Sequence, residues 1–154
     1  MMIKLTHRLA SLVGLTILLL FSFSSLTAEL MGNVATIVLV KRTIVSGLFV
    51  LIPVMAAAGL TGRIIAGERQ GKLIKTKMRR MGIVAANGLF ILIPCALILN
   101  RLAAADDFGT WFYTLQTLEF LAGGVNIGLM ALNGYSGLLL AGRLGRRWRA
   151  AGSQ

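Results

Sequence analysis

The sequence predicts an all-α integral membrane protein: a bundle of four transmembrane helices with its N and C termini cytosolic. Three observations predict it. Hydrophobic residues make up 56% of the 154-residue chain and charged residues 14%, where a soluble domain carries about 25% charged. The apolar excess falls into four blocks, each near the roughly 20 residues that span a bilayer as a helix. The bases are also divided unequally between the two sides of those blocks. With a cytosolic start and four crossings, one side holds Lys4, Arg8, Arg63, Arg69, Lys72, Lys75, Lys77, Arg79, Arg80, Arg143, Arg146, Arg147 and Arg149 against Glu68. The other holds Lys41, Arg42 and Arg101 against Glu29, Asp106, Asp107 and Glu119. Lys and Arg in short loops set topology, so the first side is read as cytosolic and the membrane as the cell's inner (plasma) membrane, crossed several times.

A single membrane domain, residues 1–154, is expected. The first helix is placed at about 9–27. Its basic, then apolar, beginning also resembles a secretory signal. Cleavage after Ala28 would put Leu26 three residues before the cut, where a small residue is preferred, so a retained helix is the reading. Gly32 and Asn33 give a turn. The second helix is placed at 34–60, with its membrane core at 43–60 and a proline, Pro53, inside it. A proline removes a backbone donor and kinks a helix, which membrane neighbours tolerate. A basic cytosolic loop follows at 61–81.

The third helix is placed at 82–100 and carries Asn87 and a second kink site, Pro94. The fourth is placed at 111–142. Trp111, Phe112 and Tyr113 at its start fit an aromatic belt at a membrane interface. A disordered basic tail is expected over 143–154, with Trp148 as an interfacial anchor. The segments GLFVLIP (47–53) and GLFILIP (88–94) differ at one position. They match two antiparallel neighbours rather than the units of a duplicated bundle, so a shared need for a kinked helix, or chance, is the better account.

The candidate polar site lies inside the spans. Glu119, Asn126 and Asn133 are seven residues apart and share a face, drifting about 20° per heptad. Gln116 joins that face one turn earlier, and Asn87 is its expected partner on the third helix, at the depth of Asn133. Glu29, Lys41, Arg42, Arg101 and Glu119 fall at the outer ends of their spans. They are read first as groups that reach the headgroups, as long basic side chains do; a charge in hydrocarbon is costly unless paired, and Arg42 with Glu119 is the pair that the alternative, a paired layer, would form. Gly123, Gly124 and Gly128 are helix-packing candidates, because small residues let helices approach closely. The polar face is expected to pack on the second and third helices, leaving a glycine-rich side for a partner chain.

Several chemistries are excluded. The net charge of +11 would point to nucleic acid in a soluble protein; here the bases flank apolar spans, and their partner is a bilayer with anionic headgroups rather than nucleic acid. One histidine, His7, does not provide two axial ligands for haem and is read as a solvated surface residue. No second histidine supports a serine or cysteine nucleophile, and Cys95, the one cysteine, is read as a small buried apolar residue from which no metal motif can be built. GERQG and GRLGRR lack the spacing of a phosphate loop. No catalytic residues, cofactor or metal are therefore expected, and the chain is read as not an enzyme. Quinone or pigment binding between helices needs no motif and stays open. The expected role is an accessory subunit, assembly factor or interaction module of a membrane complex, bound to another membrane protein or to a second copy of itself. The alternative is a small ion-coupled transporter or channel using Glu119 and the polar face of the fourth helix.

Overall fold

The computed structural model describes residues 2–67, 71–140 and 142. They form four long helical rods. The first is α1 (Met2–Met31) and the second α2 (Val34–Ala66). The third is made of α3 (Lys72–Asn87), a π-helical turn (Gly88–Leu92) and α4 (Ile93–Ala104), and the fourth is α5 (Thr110–Leu140). All four rods are long and apolar enough to cross a membrane. Short connections make them antiparallel neighbours. α1 packs on α2 and α5, α2 on α4, and α5 on both α3 and α4. The ends near Met2, Ala66, Lys72 and Leu140 are called the basic end below, and the ends near Met31, Val34, Ala104 and Thr110 the far end.

Local chemistry sets the breaks between rods. At the far end Gly32 takes a positive φ of 64°, and its N–H reaches the carbonyls of Ala28 and Glu29, both at 3.2 Å. Glycine closes helices in this way because it has no Cβ to clash. Asn33 then caps α2 by accepting from the Thr36 N–H at 3.1 Å. Gly67, also at positive φ, ends α2 with a bond to the Arg63 carbonyl at 3.1 Å.

The rods run further than the apolar blocks alone suggest. α1 extends beyond 9–27 at both ends, and most of the supposed loop 61–81 is helix. The physical reason is that Arg63, Lys72, Lys75 and Arg79 are good helix formers, so charge ends a hydrophobic block without ending a helix. The tail 143–154, with Trp148, and the loop residues Glu68 and Arg69 lie outside the described residues.

The two prolines differ. Pro53 sits within an unbroken α2. Pro94 is the second residue of α4, just after the π turn. It has no N–H for the Phe90 carbonyl, and its ring crowds that carbonyl. There the helix widens, and the Ile93 N–H reaches back to the Gly88 carbonyl, a local adjustment of the kind that accommodates such a break.

Buried positions fall at spacings of three, four or seven residues on one face, as in Ile37, Lys41, Ile44, Leu51 and Ala58 of α2. Two apolar clusters result. One joins Ala28, Ile37, Leu99 and Phe112 near the far end, and the other joins Leu18, Leu51, Val84 and Met130 nearer the basic end. Phe112 is thus core, while its neighbours Trp111 and Tyr113 face outward; one residue along a helix turns a side chain by about 100°, so three consecutive aromatics do not share one belt. Outside, Phe23, Phe49, Phe90 and Leu121 are exposed. An apolar girdle of this size is foreign to a water-soluble monomer and suits lipid. The fold is an all-helical bundle whose four long apolar rods suggest a multi-pass membrane protein.

Candidate functional site

The polar groups of α5 point into the bundle and meet partners at three levels. Nearest the far end is a charged cluster. Lys41 of α2 is 1% exposed, yet its ammonium is fully used. It donates to Ser25 Oγ of α1 at 2.7 Å and to Glu119 Oε2 of α5 at 2.9 Å, and to Gln116 Oε1 of α5. An ammonium has three N–H donors, so none is left over. Gln116 Nε2 in turn donates to Glu119 Oε2 at 3.1 Å and to Ser25 Oγ at 3.4 Å. Lys41–Glu119 is the one ion pair among the described residues. Glu29 of α1 lies within electrostatic reach of both, and one of its carboxylate oxygens is buried without a partner.

This arrangement corrects the expected pairing. Arg42 and Arg101 are exposed, and Lys41 takes the place assigned to Arg42. Adjacent residues on a helix point about 100° apart, and the face that carries Ile37, Ile44 and Leu51 inward carries Lys41 with it, not Arg42. Ser25 also joins a cluster that its sequence context did not single out. Its only signal is register, three residues before Ala28 on the buried face of α1.

Near mid-bundle the chemistry changes from charges to amides. Asn87 Nδ2 donates to Asn126 Oδ1 and to the Ala122 carbonyl, both at 2.8 Å. Asn126 Nδ2 donates to the Val84 carbonyl at 3.3 Å. Asn87 thus meets Asn126, and not Asn133 as its estimated depth suggested. That depth was measured from Gly82, whereas α3 begins at Lys72. Asn87 is 15 residues in from Lys72 and Asn126 is 14 in from Leu140, which brings them level. The Asn87 side chain holds α5 just before the π turn, and Gly88 lies beside Asn126.

Toward the basic end, Asn133 Nδ2 donates to the Lys77 carbonyl at 3.4 Å, while its Oδ1 is buried without a partner. Arg80 reaches Ser136 Oγ at 3.2 Å. On the other side of the bundle His7 is half-buried rather than solvated. Its Nδ1 is 3.0 Å from the Ala58 carbonyl, so this nitrogen carries the proton and donates. Gly62 leaves the room for its ring, since a Cβ there would sit 3.0 Å from His7 Cε1.

The glycines divide in an unexpected way. Gly123 is buried beside Ser22 of α1, but Cβ atoms at Gly124 and Gly128 would meet nothing within 4 Å. The tightly packed glycines lie instead between α1 and α2. There a Cβ at Gly47 would run into the Phe21 ring, and one at Gly14 would come to 2.8 Å from Met55 Sδ.

Comparison with protein families, characterised proteins and solved structures gives no match.

The site can therefore be judged on its geometry. Among the described residues no three His, Cys, Asp or Glu side chains gather as metal ligands. The charged and amide groups bond to one another across helices, so their evident action is to fix register and rotation of α1, α2 and α3 against α5. Ser25, Glu119 and Asn126 also border a cavity of about 630 Å³ between α2 and α3.

Proposed function

We propose that this chain is a small non-enzymatic protein of the inner membrane, with both termini cytosolic, that works as an accessory subunit, assembly factor or interaction module. The observation that carries this reading is that the buried ammonium and the mid-bundle amides are satisfied within the chain, with Glu29 Oε1 and Asn133 Oδ1 left over among the buried polar atoms. Lys41 spends all three donors on Ser25, Gln116 and Glu119 of the same chain. Asn87 and Asn126 likewise satisfy each other and nearby carbonyls. A carboxylate that couples transport must bind and release its ion. Glu119, held by a buried ammonium, is poorly suited to that, which weighs against the transporter alternative. The division of bases supports the orientation.

The surface offered to a partner is the outward side of α5. Gly124 and Gly128 lie there among exposed Leu121, Val125 and Leu132. Small residues one turn apart let another helix come close enough for backbone contact. In situ crosslinking in native membranes tests this. Wild type is expected to give a discrete crosslinked species, with itself or with another membrane protein, that disappears in Gly124→Leu/Gly128→Leu. Both positions have open space, so the fold should tolerate the change. An identical crosslinking pattern in wild type and variant would sink the proposed interface.

A further inference from the structure

The cavity between α2 and α3 has a direction. Its α2 wall steps through Leu48, Leu51, Met55 and Gly59 and ends at Arg63. Its α3 wall steps through Leu89, Ala85, Gly82 and Met78. These positions alternate at three and four residues, so each set is one continuous stripe. One step beyond Met78 on the same stripe is Lys75, exposed like Arg63. Both walls are thus apolar for most of their length; the α2 wall ends at a base that lines the groove, and the α3 stripe continues to a base one step beyond its lining. Toward the far end the lining turns polar with Ser22, Ser25 and Glu119, and Asn126 borders it at mid-bundle.

The groove opens sideways. Ile52, Leu60 and Leu89 along it are exposed by 48%, 64% and 59%. In a bilayer that opening faces acyl chains, not water. Gly59 and Gly82 widen it from either side, and a Cβ at either position would meet nothing within 4 Å. A soluble anion would find the two bases but not use the apolar walls, and a neutral lipid would use the walls but not the bases. An occupant complementary to both has a long apolar body and an anionic head at one end. We propose that the α2–α3 groove is a binding site for an anionic phospholipid of the leaflet at the basic end, with its headgroup between Arg63 and Lys75 and one acyl chain along the groove. Basic pockets between membrane helices are known to select acidic headgroups, and about 630 Å³ lies within the usual range for a ligand site. The inference needs the basic end at a membrane surface; it does not rest on the accessory role.

Native mass spectrometry of the full chain, titrated with phosphatidylglycerol or phosphatidylcholine of identical chains, tests the site. Wild type is expected to hold phosphatidylglycerol more tightly. Arg63→Gln/Lys75→Gln should lower that affinity about thirtyfold, as for two bases at roughly 1 kcal/mol each. Arg8→Gln, an exposed base on α1 rather than on either wall, should leave it unchanged. Gly59→Leu/Gly82→Leu should remove binding of both lipids while the melting temperature is kept. Equal affinity of wild type for the two lipids overturns the proposal. So does an Arg8→Gln loss as large as the groove pair's, full displacement by water-soluble glycerol phosphate, or undiminished binding by a folded groove-filled variant. The arms at Arg63 and Lys75 change exposed side chains only, so they decide the matter even if the glycine variant fails to fold.

Discussion

Two levels of the same helix bundle hold α5 by different means. Near the far end, α5 is tied to α1 and α2 by an ion pair and its hydrogen bonds around Lys41, and there α2 and α4 pack closely. Near mid-bundle, α5 is tied to α3 by the amides of Asn87 and Asn126, and α2 stands away from α3, leaving the groove. The difference is one of cost and risk. A buried charge pair is weak as a net stabiliser but severe when half of it is lost. An amide pair between membrane helices contributes little and loses little. The charged level therefore fixes which helices assemble, while the amide level adjusts α3 against α5 and tolerates a neighbouring opening.

Removing the cation should break this comparison most sharply. Lys41→Met keeps length and volume but leaves Glu119, 13% exposed, without its partner. A loss of about 3–5 kcal/mol is expected, the usual consequence of leaving a buried charge alone. Thermal unfolding of the detergent-solubilised protein reads it. Lys41→Met/Glu119→Leu should recover most of the loss, because the carboxylate that lost its partner is then gone and Glu29 is the one charge of the cluster that stays. A double variant as unstable as the single one would show that the ion pair is not what matters at this level.

This cluster also marks how far the sequence could be read. The heptad spacing of Glu119, Asn126 and Asn133, with Gln116, was legible because helical periodicity fixes a common face within one helix. The partner of Glu119 was not. Depth alone leaves Lys41 and Arg42 equivalent, and only the rotation of α2, set by packing of Ile37, Ile44 and Leu51, chooses between them. The same limit explains Asn87, whose level depended on where α3 begins. GLFVLIP and GLFILIP make the point locally. Gly47 to Pro53 stays α-helical under the Phe21 ring, whereas Gly88 to Leu92 becomes a π turn beside Asn126. Near-identical segments diverge because their neighbours differ, and neighbours are a tertiary fact. The groove was invisible for that reason too, since it is a space between two helices rather than a property of either.

The seam between α1 and α2 offers an intermediate test, because it is the tightly packed counterpart of the open α2–α3 side. Gly47→Leu places a branched side chain where even a Cβ would meet the Phe21 ring. Overpacking of this kind typically costs about 1–3 kcal/mol. Phe21→Ala in the same background should return part of that loss by making room. If Gly47→Leu melts like wild type, α1 and α2 are not in the close contact described.

The smallest expected effect belongs to the amide level. Asn126 accepts from Asn87 at 2.8 Å and donates to the Val84 carbonyl at 3.3 Å, and both bonds join α3 to α5. Interhelical hydrogen bonds of membrane proteins average about 0.6 kcal/mol and reach about 1.7, because unpaired amides find other partners in the unfolded state. A double-mutant cycle of Asn87→Ala and Asn126→Ala isolates the pair, since either change alone removes their shared bond. A coupling of about 0.6–1.7 kcal/mol is expected, well below the loss on isolating Glu119. Were the amide coupling to equal that loss, the contrast between a charged level that fixes assembly and an amide level that only adjusts it would disappear. A coupling of zero would mean that α3 is held against α5 by apolar contacts such as Val84 with Met130, with the amides merely satisfying one another.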